Sequence, residues 1–291
     1  MKRILALTIA LLTALALFSC RDGESYDAEA PSGEIIYKTA GEVELGLEIL
    51  IPTEKRQKRS PAVIMLHGGG WISGSRDEMT RDFKPLCDEL RNNGVTVIPV
   101  TYRLVGGEVS LRDCIDDCED ALSFIVSNAK KYGIDPERIG IVGYSAGAQL
   151  AMITAIESED QIKYCVSMSG PTCFSDSRGS IYYSDSLNYY IGMIFSEEDK
   201  VAMYQSSPII RLNRKCKAEF LLVNGTDDEV VKPAHAESFC REAESFGISA
   251  ELIEPVGLTH SYSSWQGFDE LCLQISQKLI AQLNYSDSPQ S

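Results

Sequence analysis

Apolar positions along the chain follow two patterns, continuous runs and helical spacing. Continuous or nearly continuous apolar runs, typical of strands buried on both faces of a parallel sheet, lie at residues 62–66, 95–100, 139–142, 164–168 and 218–223, and residues 250–256 are predicted to form the last strand. Apolar residues at helical intervals fill the stretches 77–92, 112–132, 146–152, 234–246 and 268–283. Strands that alternate with helices in this way predict right-handed crossovers and an α/β fold built on a parallel sheet.

Three stretches differ from this alternation. Residues 34–52 alternate between polar and apolar side chains, which predicts antiparallel strands with one solvated face. Residues 171–214 contain two pairs of adjacent tyrosines and no clear long helix, and we interpret them as an inserted segment over the carboxyl edge of the sheet. Residues 284–291 form a polar C-terminal tail. The sequence therefore predicts one α/β domain over residues 34–283.

The first twenty residues have the pattern of an export signal. Two basic residues precede a long apolar run that ends in Leu-Phe-Ser-Cys, which predicts a secretory signal peptide over residues 1–19 and not a transmembrane helix. The ending resembles a bacterial lipobox, in which cleavage leaves the cysteine, here Cys20, to carry diacylglycerol. The alternative is an ordinary signal peptide with an unrelated cysteine. The polar residues 20–33 suit a flexible tether, so we expect a lipid-anchored protein of the bacterial cell envelope, facing the periplasm or the cell surface.

Composition and charge restrict the classes of partner. With 291 residues, 44% of them hydrophobic and 24% charged, the chain has ordinary globular composition. Its net charge of −15 argues against a nucleic-acid partner and against attraction to anionic lipid, so membrane attachment must come from acyl chains. Neither C-x-x-C nor paired-histidine spacing occurs, and we expect no metal and no cofactor. Disulfide pairing and oligomeric state remain open.

A candidate nucleophile lies between the third predicted strand of the parallel sheet and the helix that follows it. The sequence Gly-Tyr-Ser-Ala-Gly at residues 143–147 matches the G-x-S-x-G motif in the strand, turn and helix context that this motif requires. The turn is expected to hold Ser145 in a strained backbone conformation and to expose its hydroxyl. A serine hydroxyl is a poor nucleophile by itself, so the chain must also supply a base, an acid and an oxyanion hole.

The candidate base follows by elimination among three histidines. In this arrangement the partners follow the serine in the order acid, then histidine, each on a loop at the carboxyl end of a strand. His260 lies in the loop after the last predicted strand and fits this order. His67 precedes the serine and is expected to brace a glycine-rich turn, and His235 lies early in a predicted helix, where a structural role fits.

The candidate acid lies in the loop after the strand at 218–223. That loop, residues 224–231, offers Asp227, Asp228 and Glu229. The acid would accept the ring N–H of the histidine and stabilise the imidazolium. Spacing leaves Asp227 and Asp228 nearly even as the acid, and the carboxylates not used would cap or solvate the loop.

A glycine-rich turn after the strand at 62–66 is the candidate oxyanion hole. The sequence there is His-Gly-Gly-Gly-Trp, residues 67–71. In acyl transfer one donor is the N–H that follows the nucleophile, here Ala146, and the others come from such a turn, here Gly69 and Gly70, with Trp71 able to replace one of them. Each donor is worth about 3–4 kcal/mol of barrier reduction. The alternative is a glycine turn that only reverses the chain.

Several of these segments together resemble a known family. The chain is similar to the α/β-hydrolase carboxylesterases of the hormone-sensitive-lipase-like and feruloyl- or acetylxylan-esterase-like groups over residues 34–283. The segments that carry the resemblance are HGGGW, the Tyr-Arg-Leu at 102–104, YGIDPERIGIVGYSAGAQLA, NGTDDEVV and the late His260. It implies the α/β-hydrolase fold, a mostly parallel central sheet with helices on both faces and a cap-like insert.

The acid loop of this family usually reads H-G-x-x-D-x-x-V, and the alignment of that pattern with NGTDDEVV favours Asp228 over Asp227. The chain departs from the family at three places. Asn224 stands where histidine is common, Ala148 where a second glycine often follows S-A-G, and residues 105–108 replace a common A-P-E. The last two lie in segments that shape the substrate pocket, so they bear on the substrate more than on the chemistry.

The resemblance implies a serine carboxylesterase that uses Ser145, Asp228 and His260 and forms an acyl-enzyme intermediate. Its expected substrates are short-chain acyl esters or carbohydrate-linked acetyl or feruloyl esters. The alternatives are an amidase or peptidase of the same fold and a non-catalytic binding module at the cell surface. The paired tyrosines of the insert either line a site for a sugar or an aromatic ester or pack the insert down; they are Tyr182, Tyr183, Tyr189 and Tyr190.

Overall fold

The computed structural model describes residues 33–54, 58–174, 184–196 and 198–284. The predicted signal peptide, Cys20, nearly all of the predicted tether and the tail from residue 285 lie outside the described residues, as do Tyr182 and Tyr183. Within the described ranges, none of the helices combines the length and the hydrophobicity that a bilayer crossing requires.

The strands of the described residues form one mixed sheet of eight. In spatial order it runs β1, β2, β4, β3, β5, β6, β7, β8. The first two strands pair antiparallel with each other, β2 also pairs antiparallel with β4, and every other pair is parallel. In chain order the strands are β1 Ile35–Ala40, β2 Val43–Leu47, β3 Ser60–Leu66, β4 Thr96–Val100, β5 Ile134–Tyr144, β6 Ile162–Met168, β7 Glu219–Val223 and β8 Ala250–Ile253.

Helices cover both faces of this sheet. They are α1 Arg76–Asp82, α2 Lys84–Asn92, α3 Leu111–Ser127, α4 Ala129–Tyr132, α5 Ala146–Glu157, α6 Asp185–Ile194, α7 Lys200–Gln205, α8 Pro208–Arg211, α9 Ala234–Phe246 and α10 Phe268–Asn284. Side chains of α3, α5 and α9 form the core on one face, and those of α1, α2 and α10 form the core on the other. This two-sided burial explains why the parallel strands are continuous apolar runs in the sequence.

Two predicted helices are divided in the structure. The single helix expected over 77–92 is α1 and α2, which meet at Phe83. Pro85 has no N–H to continue the hydrogen-bond ladder of α1, but it fits in the first turn of α2, where no donor is needed. The helix expected over 112–132 divides at Asn128 into α3 and α4, and it ends as predicted at Gly133, which has a left-handed φ of 67°.

The insert contains more helix than its sequence indicated. The sequence predicted no clear long helix over 171–214, and the helices in the described part of the insert are short: α6 has ten residues, and α7 and α8 follow it with six and four. Ser184 caps α6, since its side chain accepts the N–H of Leu187, and its hydroxyl donates to the carbonyl of Val230. Leu187 and Ile191, one turn apart, bury the inner face of α6. Only these two side chains of the short helix are buried, and the apolar Met193 lies on its exposed side, which is why the spacing signal is weak.

A buried ion-pair cluster holds the loop after β4. Asp117 of α3 is fully buried and accepts two hydrogen bonds from the Arg103 guanidinium, at 2.7 and 2.8 Å. It also accepts the main-chain N–H of Arg103 at 3.0 Å and lies 2.7 Å from the Lys38 ammonium. These partners hold the buried Asp117 carboxylate in one position. Through Arg103, the carboxylate in turn holds the loop that carries the neighbouring Tyr102.

The eight cysteines in the described part of the chain are all free thiols. Seven are buried and Cys240 is partly exposed. Cys114 and Cys118, which share a face of α3 as expected from their spacing, form no disulfide. Burial raises the pKa of the Cys87 and Cys114 thiols to about 12, so these cysteines act as small apolar side chains.

Candidate active site

Ser145 lies at a sharp turn between β5 and α5. Its backbone has φ 52° and ψ −117°, a left-handed conformation that is rare for a residue with a Cβ. Its N–H donates to the carbonyl of Met168 on the neighbouring strand β6, at 2.8 Å. The strained conformation expected from the motif is therefore present, and the side chain is left partly exposed.

The two motif glycines allow this turn to be tight. A Cβ at Gly147 would lie 2.3 Å from the carbonyl oxygens of both Leu66 and His67, at the end of β3. A Cβ at Gly143 would lie 2.2 Å from the carbonyl oxygen of Gly147. Since real Cβ atoms do not approach so closely, glycine is required where α5 starts against β3. This close approach brings the amide of Ala146 beside the glycine-rich turn that follows β3.

The structure brings Ser145, His260 and Asp228 into one hydrogen-bonded chain. The His260 Nε2 atom lies 2.9 Å from the Ser145 Oγ atom. On the other side of the ring, Nδ1 lies 2.9 Å from Oδ2 and 3.2 Å from Oδ1 of Asp228. An ionised carboxylate can only accept, so the ring carries its proton on Nδ1 and its lone pair on Nε2. Nε2 is therefore placed to accept the hydroxyl proton of Ser145.

Asp228, and not its neighbour, faces the histidine. Its side chain is fully buried, and Oδ1 accepts the main-chain N–H groups of Val230 and Val231, each at 2.9 Å. Asp227 is exposed and accepts the hydroxyl of Thr226. Spacing left the two aspartates nearly even as the acid; the tertiary structure separates them, because only Asp228 lies against His260.

The glycine-rich turn after β3 has three consecutive residues with left-handed backbone. Gly69, Gly70 and Trp71 have φ angles of 115°, 60° and 64°. The carbonyl of Gly69 accepts the N–H groups of Ile72 and Ser73, which closes the turn. Within the described residues, the N–H groups of Gly69, Gly70, Trp71 and Ala146 have no protein acceptor. These are the amides that the sequence predicts as the oxyanion hole.

Trp71 is held by its side chain, which is buried. The indole Nε1–H donates to Oε1 of Gln149 on α5, at 2.8 Å, and Nε2 of Gln149 donates to the carbonyl of Ser206 in the insert, at 2.9 Å. Gln149 thus joins the glycine-rich turn, the helix after the nucleophile and the insert. Sequence reasoning missed this residue, although a glutamine on an otherwise apolar helix face indicates a buried polar contact.

The other two histidines have structural contacts. His67 is buried, stacks on Tyr102 with ring centroids 4.2 Å apart, and donates from Nδ1 to the carbonyl of Gly68. Burial lowers the pKa of His67, so the ring stays neutral. The hydroxyl of Tyr102 donates to the His67 carbonyl at 2.6 Å, and His235 is fully buried and accepts the N–H of Thr172. His67 therefore braces the turn, as the sequence predicts.

Helix α6 of the insert lies over this site. The ring of Tyr190 occupies the space above Gly70, since a Cβ at Gly70 would lie 2.3 Å from its Cδ1 atom. Tyr189 packs edge-on to Tyr190 but is 64% exposed. Of the two adjacent tyrosines of α6, Tyr190 therefore contacts the predicted oxyanion turn and Tyr189 faces solvent. Among the described side chains, no group of three or more histidines, cysteines or carboxylates is arranged to hold a metal ion.

Comparisons with known proteins agree with the fold. A family model described as BD-FAE matches residues 47–242. A thermophilic esterase from Thermogutta terrifontis, solved in its native form, superposes with a TM-score of 0.71 over 91% of this chain and 96% of its own, at 20% identity. At that identity the similarity is one of fold, and it confirms the α/β-hydrolase architecture that the sequence predicted.

Among curated relatives, the ethyl acetate hydrolase of Pseudomonas putida is 27% identical over 217 residues, which cover 69% of this chain and 65% of that protein. The probable isoprenylcysteine alpha-carbonyl methylesterase ICMEL1 of Oryza sativa subsp. japonica is 25% identical over 240 residues, which cover 74% of this chain and 54% of that protein. The chain spans about half the length of the plant relatives it matches.

The close approach at Gly147 gives a first prediction. We expect Gly147→Ala to lower the free energy of unfolding by about 2 kcal/mol or more, because its Cβ would meet two main-chain oxygens. Gly192→Ala in α6, where a Cβ meets nothing within 4 Å, is the control and should be neutral or stabilising. Urea denaturation measures the free energy of unfolding of both variants. Equal stability of Gly147→Ala and the unsubstituted protein would contradict the packing that we describe.

Proposed function

This chain belongs to the BD-FAE family, an α/β-hydrolase family, and from that premise we propose that it is a serine carboxylesterase. The observation that carries the proposal is the chain of hydrogen bonds from Ser145 Oγ to His260 Nε2 and from His260 Nδ1 to Asp228, each 2.9 Å at its shortest contact. A hydroxyl, a neutral imidazole and a buried carboxylate in this order form an activated nucleophile.

In the first half of the proposed reaction, Ser145 Oγ attacks the carbonyl carbon of the ester while its proton passes to His260 Nε2. The negative charge that develops on the carbonyl oxygen is stabilised by the free amides of Gly69, Gly70 and Ala146. When the tetrahedral intermediate collapses, the bond to the alcohol oxygen breaks. His260 gives its proton to that oxygen, and the alcohol leaves with the acyl group bound to Ser145.

In the second half, water takes the place of the alcohol. His260 Nε2 accepts a proton from the water as its oxygen attacks the acyl carbon, and the same amides stabilise the second oxyanion. Collapse of that intermediate returns the proton to Ser145 Oγ and releases the carboxylic acid. Asp228 accepts the Nδ1–H of the imidazolium that forms, and the two main-chain N–H groups on its Oδ1 hold the carboxylate in place for this role.

Two of the relatives support ester chemistry. The names of the two curated relatives described above are those of a hydrolase of ethyl acetate and of a methylesterase. We propose for this chain short-chain acyl esters or carbohydrate-linked acetyl or feruloyl esters. The position of Tyr190 over Gly70 supports a small acyl group, because the ring occupies space directly above a predicted oxyanion donor.

Covalent labelling tests the nucleophile and a substrate panel tests the reaction. We expect a fluorophosphonate probe to label the intact protein and not Ser145→Ala. The panel compares short acyl esters, feruloyl esters, acetylated xylan and amides, with turnover expected on esters. Amide cleavage without ester turnover would instead support an amidase or peptidase, and a folded protein that does not react with the probe would support a non-catalytic binding module.

The two neighbouring aspartates form a matched pair for the role of the acid. Asp228→Asn should lower kcat by about 10³–10⁴-fold, because the amide no longer holds His260 in the required tautomer. Because the Asp227 side chain is exposed, the kcat of Asp227→Asn should stay within about twofold of that of the unsubstituted protein. Steady-state kinetics on one short acyl ester measures both. Similar losses in the two variants would contradict the assignment of Asp228.

The adjacent tyrosines of α6, Tyr189 and Tyr190, form a second matched pair. Tyr190→Ala should raise kcat/KM for butyrate and hexanoate esters relative to acetate by about tenfold, because removal of the ring opens space above Gly70. Tyr189→Ala is the control, and its acyl preference should not change, since that side chain is 64% exposed. An unchanged acyl preference in Tyr190→Ala would assign the tyrosine to packing alone.

We also propose that the protein is exported and anchored to the bacterial cell envelope through a diacylglycerol group on Cys20. The support is the N-terminal sequence, with its basic start, apolar run and Leu-Phe-Ser-Cys ending. An alkyne-labelled fatty acid supplied to an expressing bacterium should label the protein, and Cys20→Ser should abolish the label and release the protein from the membrane fraction. A membrane-free, unlabelled protein with Cys20 intact would support an ordinary signal peptide.

A further inference from the structure

Tyr144 occupies the unspecified second position of the G-x-S-x-G motif and contacts the candidate base. Its hydroxyl donates to the main-chain carbonyl of His260 at 2.5 Å. The phenol ring also lies near the imidazole, with ring centroids 5.4 Å apart. Tyr144 directly precedes Ser145 in the chain, so it is bonded covalently to the candidate nucleophile and is hydrogen-bonded to the candidate base.

The main chain of His260 depends on this contact. Within the described residues, its N–H and C=O groups make one protein hydrogen bond, the one from Tyr144. The loop is anchored before it at Leu258, whose carbonyl accepts the N–H of Asp227. After His260, the loop is anchored at Tyr262, whose hydroxyl donates to the carbonyl of Val223. Between these anchors, the peptide of His260 is held by the Tyr144 hydroxyl.

The ring of Tyr144 is itself fixed. It packs against Phe83, with ring centroids 5.3 Å apart, and edge-on to Tyr262, at 5.5 Å. Its Cδ1 atom also faces Gly68 of the glycine-rich turn, 3.0 Å from the place where a Cβ would stand. Burial raises the pKa of the Tyr144 phenol, so the hydroxyl keeps its proton and remains a donor. A ring held on three sides places that donor at a fixed point.

We propose that Tyr144 is a positioning residue, which sets the distance between His260 and Ser145 by holding the His260 carbonyl. Two hydrogen bonds and one peptide bond link the three residues in a ring. Ser145 Oγ contacts the imidazole of His260, the carbonyl of His260 accepts the Tyr144 hydroxyl, and Tyr144 is bonded through its peptide to Ser145. If the hydroxyl is lost, the His260 loop can shift relative to the nucleophile. A displacement of about 1 Å at a reacting pair can cost on the order of 10²-fold in rate.

The inference rests on the proposed function, and Tyr144→Phe tests it because this variant removes one oxygen and keeps the ring. We expect kcat on a short acyl ester to fall about tenfold or more, with KM within about twofold. The rate of fluorophosphonate labelling at Ser145 should fall by a similar factor. This probe depends on activation of Ser145 by His260 but not on recognition of the alcohol group, so it separates positioning from substrate binding.

Tyr37→Phe is the matched control. Tyr37 is also a partly buried tyrosine whose hydroxyl donates to a main-chain carbonyl, that of Thr101, at 2.7 Å. It lies on β1, outside the active site. We expect this variant to lose stability without loss of kcat or labelling rate. Thermal denaturation of both variants shows whether each is folded at the assay temperature, so that a loss of rate in Tyr144→Phe is not a loss of folded protein.

The outcomes separate the inference from the proposed function. Unchanged kcat and labelling in a folded Tyr144→Phe would overturn the inference, as would an increase in KM alone, which would make Tyr144 a substrate contact. If kcat and the labelling rate fell by the same factor in Tyr144→Phe and Tyr37→Phe, that result would also overturn the inference. By contrast, a probe that fails to label the unsubstituted protein would overturn the proposed function itself.

Discussion

The left-handed backbone of Ser145 is the constraint on which the rest of the site depends. Such a conformation costs about 1–3 kcal/mol, so it persists only where the surroundings hold it. The N–H of Ser145 is fixed by the carbonyl of Met168, and α5 starts in contact with the main chain at the end of β3. Only glycine at positions 143 and 147 permits this approach. The same packing that strains the serine places the amide of Ala146 beside the glycine-rich turn.

The parallel sheet then brings the other parts to the same edge. Strands β3, β5 and β7 run in the same direction, so the loops that follow them, with the glycine-rich turn, Ser145 and Asp228, meet at their carboxyl ends. The loop after β8 adds His260. Residues far apart in the chain are therefore within hydrogen-bond distance without any long-range covalent link. At this edge of the sheet, a small number of buried polar contacts holds the loops in place, such as the hydrogen bond from Trp71 to Gln149.

The insert and the loops differ from the sheet in how much the sequence reveals about them. Apolar runs predicted the parallel strands from β3 to β7, because burial on both faces demands apolar residues at nearly every position, whereas β8 at the sheet edge is only partly buried and contains a glutamate. Helix limits were less accurate, as at Phe83, where Pro85 starts a second helix within one amphipathic pattern. Helix α6 was missed since a ten-residue helix with two buried side chains gives a weak periodic signal, and its stability comes from packing against the domain.

The sequence by itself determined the fold class, the candidate nucleophile and the candidate base, because G-x-S-x-G is informative only between a strand and a helix and, of the two histidines that follow the serine, only His260 lies on a loop after a strand. The spacing of residues did not separate Asp227 from Asp228, and only the resemblance to the family favoured Asp228; the tertiary structure shows directly that Asp228 faces His260, because adjacent residues on a loop point in different directions. It alone showed that Tyr144 reaches His260 and that Tyr190 covers Gly70. Contacts between residues distant in the chain depend on packed loops, and a local pattern of apolar and polar positions does not encode them.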